Sequence, residues 1–223
     1  MFKQKFDYKS YDRKEINGIR KYVTPGGILP SVTTVLGEVS DKTALNEWRK
    51  RVGEEKANQI SREASGVGTR MHKFLEDYVI SGEFPAGGSN PYSRKANSMA
   101  RVIKNNALDD IDEFWGLEVP LYVPHLYAGT TDVVAVYKGN PCICDYKQAN
   151  KKKKEEWVVD YKIQLVAYSE AHNELYNTNI REGHVFMCTR DLEYQQFDVW
   201  PNEYDYWKNK WYDNLYSYYQ KNL

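Results

Sequence analysis

The sequence predicts an α/β fold, with a central mixed sheet flanked by helices, behind a mainly helical N-terminal region. Three observations predict it. Segments that read as strands come first as three in a row, Phe114 to Val123, Tyr127 to Tyr137 and Pro141 to Lys147, and then as two, Gly183 to Thr189 and Tyr194 to Val199. A helical segment, Glu156 to Tyr176, separates the two groups, as a sheet with helices on its faces requires. Helices also fill most of the chain before residue 110 and all of its last stretch. At 223 residues the chain suits a single domain. It divides into a mainly helical part over 1–110 and an α/β core over 111–223.

Taken in order, Ile19 to Val23 and Ile28-Leu29 read as a hairpin around Pro25-Gly26-Gly27. Pro30-Ser31 opens a short helix over Val32 to Leu36, with Ser31 as N-cap. Asp41 to about Ala64 reads as a longer helix carrying Trp48-Arg-Lys-Arg51, broken by Ser65-Gly-Val-Gly68. A second helix runs from Thr69 to Ile80, with Met71, Phe74, Leu75 and Tyr78 on one stripe. Gly82 to Pro91 is a loop rich in Gly, Pro and Ser, and Tyr92 to Ala107 a helix. Lys138-Gly-Asn140 joins the second and third strands as a tight turn. Arg190-Asp191 turns the fourth strand into the fifth. Pro201 to Leu223 closes the chain as a helix with Tyr204, Trp207, Trp211, Leu215 and Tyr218 on one face.

Composition narrows the function classes by exclusion. With 31 basic and 31 acidic residues, net charge lends no support to a nucleic-acid partner, so any such role rests on how the charges are distributed. No apolar run approaches the roughly 20 residues of a membrane span. The N-terminus lacks an apolar signal core, and Asp7, Asp12 and Glu15 count against an organelle transit peptide. Three cysteines, Cys142, Cys144 and Cys188, cannot supply a four-cysteine iron–sulfur cluster, and they lack the paired spacing of a zinc site. Their odd number and the missing secretory signal point to a reducing cytoplasm.

The chemistry concentrates between Ala128 and Tyr168. Gly129-Thr-Thr-Asp132 and Asp145-Tyr-Lys147 place two carboxylates and a lysine at the ends of neighbouring strands. Carboxylates at buried strand ends are costly unless they are paired or hold a cation. Asp145 and Lys147, two apart, project from one face, so the lysine reaches the group that a cation at Asp145 would bind. Such a set suits metal-dependent phosphodiester cleavage with Mg²⁺ or Mn²⁺. The competing explanation for each aspartate alone is a turn or cap, and for Lys147 a surface ion pair of little energy. Gln164 and Tyr168 share a helix face, as does any polar stripe. His72 is a lone helical histidine, more often structural than a ligand. Lys151 to Lys154 is either a phosphate contact or a solvated loop. Trp48 with Arg49, Lys50 and Arg51 could stack on and neutralise a single strand, although a helix packing through Trp48 is the simpler reading.

In combination, the order His72, Asp132, Asp145-x-Lys147, Gln164-x-x-x-Tyr168 resembles the PD-(D/E)XK nuclease superfamily, in its RecB-like exonuclease branch. Pro30-Ser-Val-Thr-Thr-Val-Leu36, Trp48-Arg-Lys, Gly68-Thr-Arg-Met-His72, Tyr127-Ala-Gly-Thr-Thr-Asp132 and Leu165-Val-Ala-Tyr168 all look like segments of that branch. The likeness spans about Leu29 to Thr189.

The resemblance implies a restriction-endonuclease-like core. It also implies a metal held by His72, Asp132, Asp145 and the main-chain carbonyl of Tyr146, with Lys147 as the catalytic lysine. Gln164 and Tyr168 would support the lysine and the substrate. Apart from the resemblance, Lys151, Lys152, Trp48 and Arg49 are the candidate DNA contacts that the basic and aromatic residues themselves suggest. Glu118 falls on a frequently acidic position without a defined role. Gln148 departs from the Thr or Ser that usually follows the lysine, and neither a four-cysteine cluster nor a helicase motif is present. The expected activity is metal-dependent DNA hydrolysis, exonucleolytic on single strands or exposed ends, in phage or bacterial replication, recombination or DNA breakdown. The alternatives are a structure- or sequence-specific endonuclease on the same core and a catalytically inert DNA-binding module.

Overall fold

The computed structural model describes residues 2–16 and 18–222 of the chain. Near the N-terminus three short strands, β1 (Asp12–Ile16), β2 (Ile19–Thr24) and β3 (Gly27–Pro30), pair antiparallel in that order. Sequence analysis finds β2 and β3 but not β1. The residues of β1 are almost all exposed, so no apolar alternation marks it. Helix α1 (Val32–Val39) follows, and the Ser31 hydroxyl accepts the Thr34 N–H as the expected N-cap.

Helices α2 (Thr43–Val52) and α3 (Glu54–Ser81) correct the expected boundaries. The break falls at Gly53, whose φ of +86° leaves the helical region, and not at Ser65-Gly-Val-Gly68. Gly66 and Gly68 stay inside α3 at a cost of about 1 kcal/mol each. Burial of Val67, Met71, Leu75 and Val79 on the same helix more than offsets that cost, at roughly 1.5–3 kcal/mol per large apolar side chain. Helix α4 (Pro91–Asn106) begins with Asn90 as N-cap and Pro91 in its first turn.

The central sheet holds β4 (Ile111–Val123), β5 (Tyr127–Tyr137), β6 (Asn140–Ala149), β7 (Glu182–Thr189) and β8 (Tyr194–Val199) in sequential order. The pairings are antiparallel except β6 with β7, which run parallel because α5 (Val159–Tyr176) crosses over between them. The sheet is therefore mixed and flanked by helices, an α/β architecture consistent with a restriction-endonuclease-like core. All eight residues of β7 are buried, as expected for a strand covered on both faces.

Alternation along the strands builds two cores. One face turns Val133, Ala135, Cys142, Cys144, Tyr146 and Phe186 towards α3 and α4. The other turns Val134, Ile143, Val185 and Met187 towards α1, α5 and α6 (Tyr204–Asn222). Tyr204, Trp207, Trp211, Leu215 and Tyr218 form the buried stripe of α6, as their spacing predicts. No helix among the described residues is long and apolar enough to cross a membrane.

Candidate active site

The two aspartates stand where β5 and β6 part company. Pairing between these strands runs from Tyr137↔Asn140 to Val133↔Cys144 and stops. Beyond it β5 stays with β4 and β6 stays with β7. Asp132 and Asp145 are the first residues past the last pair. They lie inside their strands rather than at the strand ends that the sequence predicts. The gap leaves a β6 amide without a ladder partner, and Asp132 Oδ2 accepts that Tyr146 N–H at 2.7 Å. The Tyr146 carbonyl shares the side of its own N–H and so faces the same gap.

Asp145 and Lys147, two apart on β6, lie on one face, and the lysine ammonium contacts Asp145 Oδ2. That oxygen is buried and accepts no well-aligned hydrogen bond. The other oxygen accepts from Gln164 Nε2 at 3.1 Å, and the same Gln164 Nε2 donates to the Tyr168 hydroxyl at 3.3 Å. Gln164 and Tyr168 are buried on the sheet-facing side of α5, which makes them braces for Asp145 rather than an ordinary polar stripe. Gly129 explains the start of the Gly129-Thr-Thr-Asp132 segment. A Cβ there would stand 2.6 Å from Tyr168 Cε1, so only glycine lets the Tyr168 ring lie against β5.

Helix α3 brings His72 to the same place, with Nδ1 3.3 Å from Asp132 Oδ1. Glu118 completes the group from β4. It stands opposite Asp132, between the Leu117↔Val133 and Val119↔Thr131 pairs, with a φ of +47° that few non-glycine residues adopt. Ligand atoms of His72, Glu118 and Asp132 lie within 4.8 Å of one another. Asp145 is not in that trio, so the acidic residue nearest to His72 and Asp132 is Glu118, whose role the sequence leaves undefined. The trio opens into a cleft of about 770 Å³ that Lys147 and two arginines also line. Those arginines, Arg13 of β1 and Arg20 of β2, carry no sequence signal of their own. The register Arg13↔Tyr22 and Glu15↔Arg20 sets them on one face of the small sheet, and the Asn17-Gly18 dipeptide, a hairpin signal, was the available clue. Tyr22 on that face bonds its hydroxyl to Thr130 Oγ1 at 3.1 Å, which fixes the small sheet against β5.

The electrostatics of the cluster follow from burial and crowding. Burial acts to raise the Asp132 pKa, but the charges of His72 and Lys147 and the Tyr146 N–H outweigh it, so Asp132 sits below its usual range. Asp145 is pushed up to about 6 by burial and by the neighbouring Asp132 charge, against the pull of Lys147. Burial would lower both His72 and Lys147, yet the carboxylates beside them win and raise both. Glu118 has an exposed surface, but its carboxyl lies in the mouth of the cleft, where lost hydration and the Asp132 charge push it to about 7. Asp132 thus has a carboxyl neighbour on either side, Asp145 and Glu118, and the nearby protein cations leave both of those raised. An oxygen-rich set with one imidazole, including a buried carboxylate oxygen without an aligned donor, fits a hard divalent cation.

The remaining residues singled out in the sequence lie to one side. Arg49 is engaged within the protein: its guanidinium pairs with Glu54 and donates to Asn58 Oδ1 at 2.6 Å, bracing the α2–α3 corner. Helix α2 buries no residue, so Trp48 does not serve as a core anchor. Trp48 and Arg51 line a separate groove with Lys151 and Lys152. Lys152 is 2.9 Å from Glu193, and Lys151 is exposed without an ion-pair partner among the described residues. The cysteines are free and buried; Cys142 and Cys144 share a face as their spacing predicts, with their sulfurs 3.5 Å apart.

No protein-family profile matches the chain. Three curated relatives do, each named mitochondrial genome maintenance exonuclease 1. The Homo sapiens protein is 27% identical over 175 residues, 74% of this chain and 50% of its own length. The Mus musculus protein is 28% identical over 73% of this chain and 50% of its own. The Xenopus tropicalis protein is 24% identical over 74% and 50%. The chain thus spans about half the length of the curated relatives it matches. A solved structure, that of SSO0001, aligns over 63% of this chain and 82% of its own at 14% identity, with a TM-score of 0.29, too low a superposition to argue from.

Proposed function

We propose that the protein is a metal-dependent deoxyribonuclease of the PD-(D/E)XK type, in the RecB-like branch, acting as an exonuclease on single strands or exposed ends. The observation that carries this reading is the convergence of His72, Asp132 and Lys147 in one cleft, with the buried Asp145 paired to Lys147 just behind its wall and held by Gln164 from α5. Relatives named as exonucleases over three quarters of the chain support it. The inert-module alternative is disfavoured because burying two like-charged carboxylates and a lysine is costly to a protein that gains no chemistry from them.

His72, Asp132, Asp145 and the Tyr146 carbonyl would hold Mg²⁺ or Mn²⁺, with Glu118 as a further oxygen donor. A divalent cation there would supply a Lewis acid that makes a bound water nucleophilic and offsets charge at phosphorus. The chain's own groups do the rest. Lys147, protonated through its carboxylate neighbours, presents its charge where negative charge develops on the phosphoryl oxygens. Gln164 and Tyr168 keep Asp145 in one orientation. Arg13 and Arg20 offer guanidinium groups to the neighbouring phosphates, contacts that carry no base information and suit a nuclease with little sequence preference.

The test is digestion of end-labelled linear and circular DNA, single- and double-stranded, with Mg²⁺, with Mn²⁺ and with a chelator. Linear single strands should disappear from an end only when metal is present, and single-stranded circles should survive. Cleavage of the circle would replace the exonuclease reading with the endonuclease one. Undiminished degradation by Asp145→Asn and Lys147→Ala would overturn the site.

A further inference from the structure

We propose that the groove between the α2–α3 corner and the loop after β6 is a base-stacking subsite for single-stranded nucleic acid, centred on Trp157 and Trp48. This deepens the nuclease reading and rests on it for the class of substrate. The groove encloses about 540 Å³ and is lined by Trp48, Arg51, Lys151, Lys153, Trp157 and Tyr161 among others, with no carboxylate in its wall. The neighbouring catalytic cleft differs: its wall mixes Glu76, Glu118 and Asp132 with Arg13, Arg20, Lys73 and Lys147 and carries no Trp or Tyr ring. A surface that joins aromatic faces to uncompensated cations complements a strand of unpaired bases on a phosphate backbone.

Three observations favour a nucleic-acid strand over other occupants. Arg51, Lys151 and Lys153 have no carboxylate within 4 Å among the described residues, so their charge is free to meet an anion. Trp157 is 56% exposed, with the Lys154 ammonium 5.4 Å from its ring centroid, so one ring face and a cation are offered together. The loop that presents the lysines is fixed in place: Lys153 N–H donates to Gln195 Oε1 at 2.8 Å, and Gln195 Nε2 donates to the Lys153 carbonyl at 2.9 Å. A fixed frame lowers the entropy cost of binding.

The groove also continues from the site of chemistry. Lys147 Nζ lies 5.1 Å from the Tyr161 ring centroid, and Gln148, the next residue on β6, is part of the groove wall. A strand with one phosphate at Lys147 would therefore carry its adjoining bases into the groove. Double-stranded DNA cannot use the subsite, because its bases already stack on one another.

The test measures binding of a short fluorescent oligo(dT) to the full chain in EDTA, which keeps binding separate from cleavage. Trp157→Ala should weaken binding about tenfold or more, and Trp157→Phe should restore most of it. An abasic strand of equal length should bind both forms with the same low affinity. Lys151→Gln should weaken both strands alike and lower the salt slope by about 0.7. An oligo(U) arm assigns the source: equal losses mean that the groove reads bases regardless of sugar, and a loss on one strand alone names that strand. Equal affinity of wild type and Trp157→Ala for both oligo(dT) and oligo(U) would overturn the proposal. So would an equal loss on the abasic strand or on duplex, which would point to a protein or other partner for the groove. Binding that depends on Trp157 without any cleavage would leave the subsite standing and remove the nuclease reading; cleavage with binding indifferent to Trp157 would do the reverse.

Discussion

Replacing Gly129 with alanine should damage both stability and activity through one contact. The new Cβ would meet Tyr168 Cε1 at 2.6 Å, where ordinary contact begins near 3.4 Å, so the ring must move by roughly 0.8 Å. The ring has little room, because Tyr168 is buried in the core formed by α5 and the sheet. Crowding of this kind costs about 1–3 kcal/mol. Unfolding entropy of about 2.1 cal/mol/K per residue over 223 residues gives roughly 0.5 kcal/mol per degree, so the melting temperature should fall by about 2–6 °C. Movement of the ring would also strain the 3.3 Å bond from Gln164, which in turn holds Asp145. A sub-ångström displacement of Asp145, in the role proposed for it, should lower kcat by about ten- to a hundredfold. Thermal unfolding and digestion of labelled single strands read the two effects. The decisive control is a double-mutant cycle. With Tyr168→Ala already present the ring is gone, and adding Gly129→Ala should cost less than about 0.5 kcal/mol. An unchanged melting temperature and rate in Gly129→Ala, or the same penalty in both backgrounds, would refute the reasoning.

Further expectations come from the same site and from one buried histidine elsewhere. Lys147→Ala should lower kcat by about a hundredfold or more with KM little changed, since its charge is needed most as charge develops at phosphorus. Arg13→Ala and Arg20→Ala should instead raise KM, lower the salt slope of binding and largely spare kcat, because the proposed function gives these arginines neighbouring phosphates rather than the reacting one. Asp145→Asn should abolish cleavage; millimolar Mg²⁺ should raise the melting temperature of the wild type, and thermal unfolding should show no such rise in the variant. His172, buried on α5, bonds Tyr8 and Thr178 and is pushed down to about 4 by burial. Its contribution is complete above the unfolded pKa of about 6.5 and is lost as pH falls towards 4. Urea midpoints at pH 7 and pH 5 should thus differ by about 2 kcal/mol more in the wild type than in His172→Gln.

The central sheet was legible because its pattern is strong. The strands over Tyr127–Tyr137 and Pro141–Lys147 alternate between two apolar faces, and a two-residue turn with a glycine fixes their register. The aspartates, the lysine and the Gln-x-x-x-Tyr pair were legible for a different reason: their order along the chain is informative although no single member is. What stayed hidden depends on tertiary contact. Gly66 and Gly68 look like a stronger stop than Gly53, but the buried stripe of α3 carries the helix through the former pair. β1 is exposed along nearly its whole length, so neither the strand nor Arg13 left a hydrophobic trace. Glu118 could be found as an acidic residue on a strand, but its unusual backbone conformation and its place opposite Asp132 emerge only from the pairing of β4 with β5. Arg49 shows the converse: a basic residue in a run that reads as DNA-binding is spent on a local ion pair.

The departure of β6 from β5 links these features to function. A sheet in which every amide found a ladder partner would have no place for Asp132, whose Oδ2 takes the Tyr146 N–H, and no gap in which Asp132 could meet Glu118 and His72. The same departure makes the site expensive. An Asp145 whose pKa has risen from 3.8 to about 6 disfavours the folded state as pH climbs between those values, and above them the full cost, on the order of 3 kcal/mol, is present. That cost is what remains after Lys147 has offset part of the burial penalty, and it is the part a divalent cation would relieve. Much of the rest of the architecture serves to sustain that arrangement. Burial along α5 presses Gln164 and Tyr168 onto Asp145, Gly129 makes room for them, and the fully covered β7 anchors β6 where β5 has let it go. Stability is thus withheld at one point of the sheet and supplied around it, as expected when a carboxylate cluster is kept for chemistry rather than for folding.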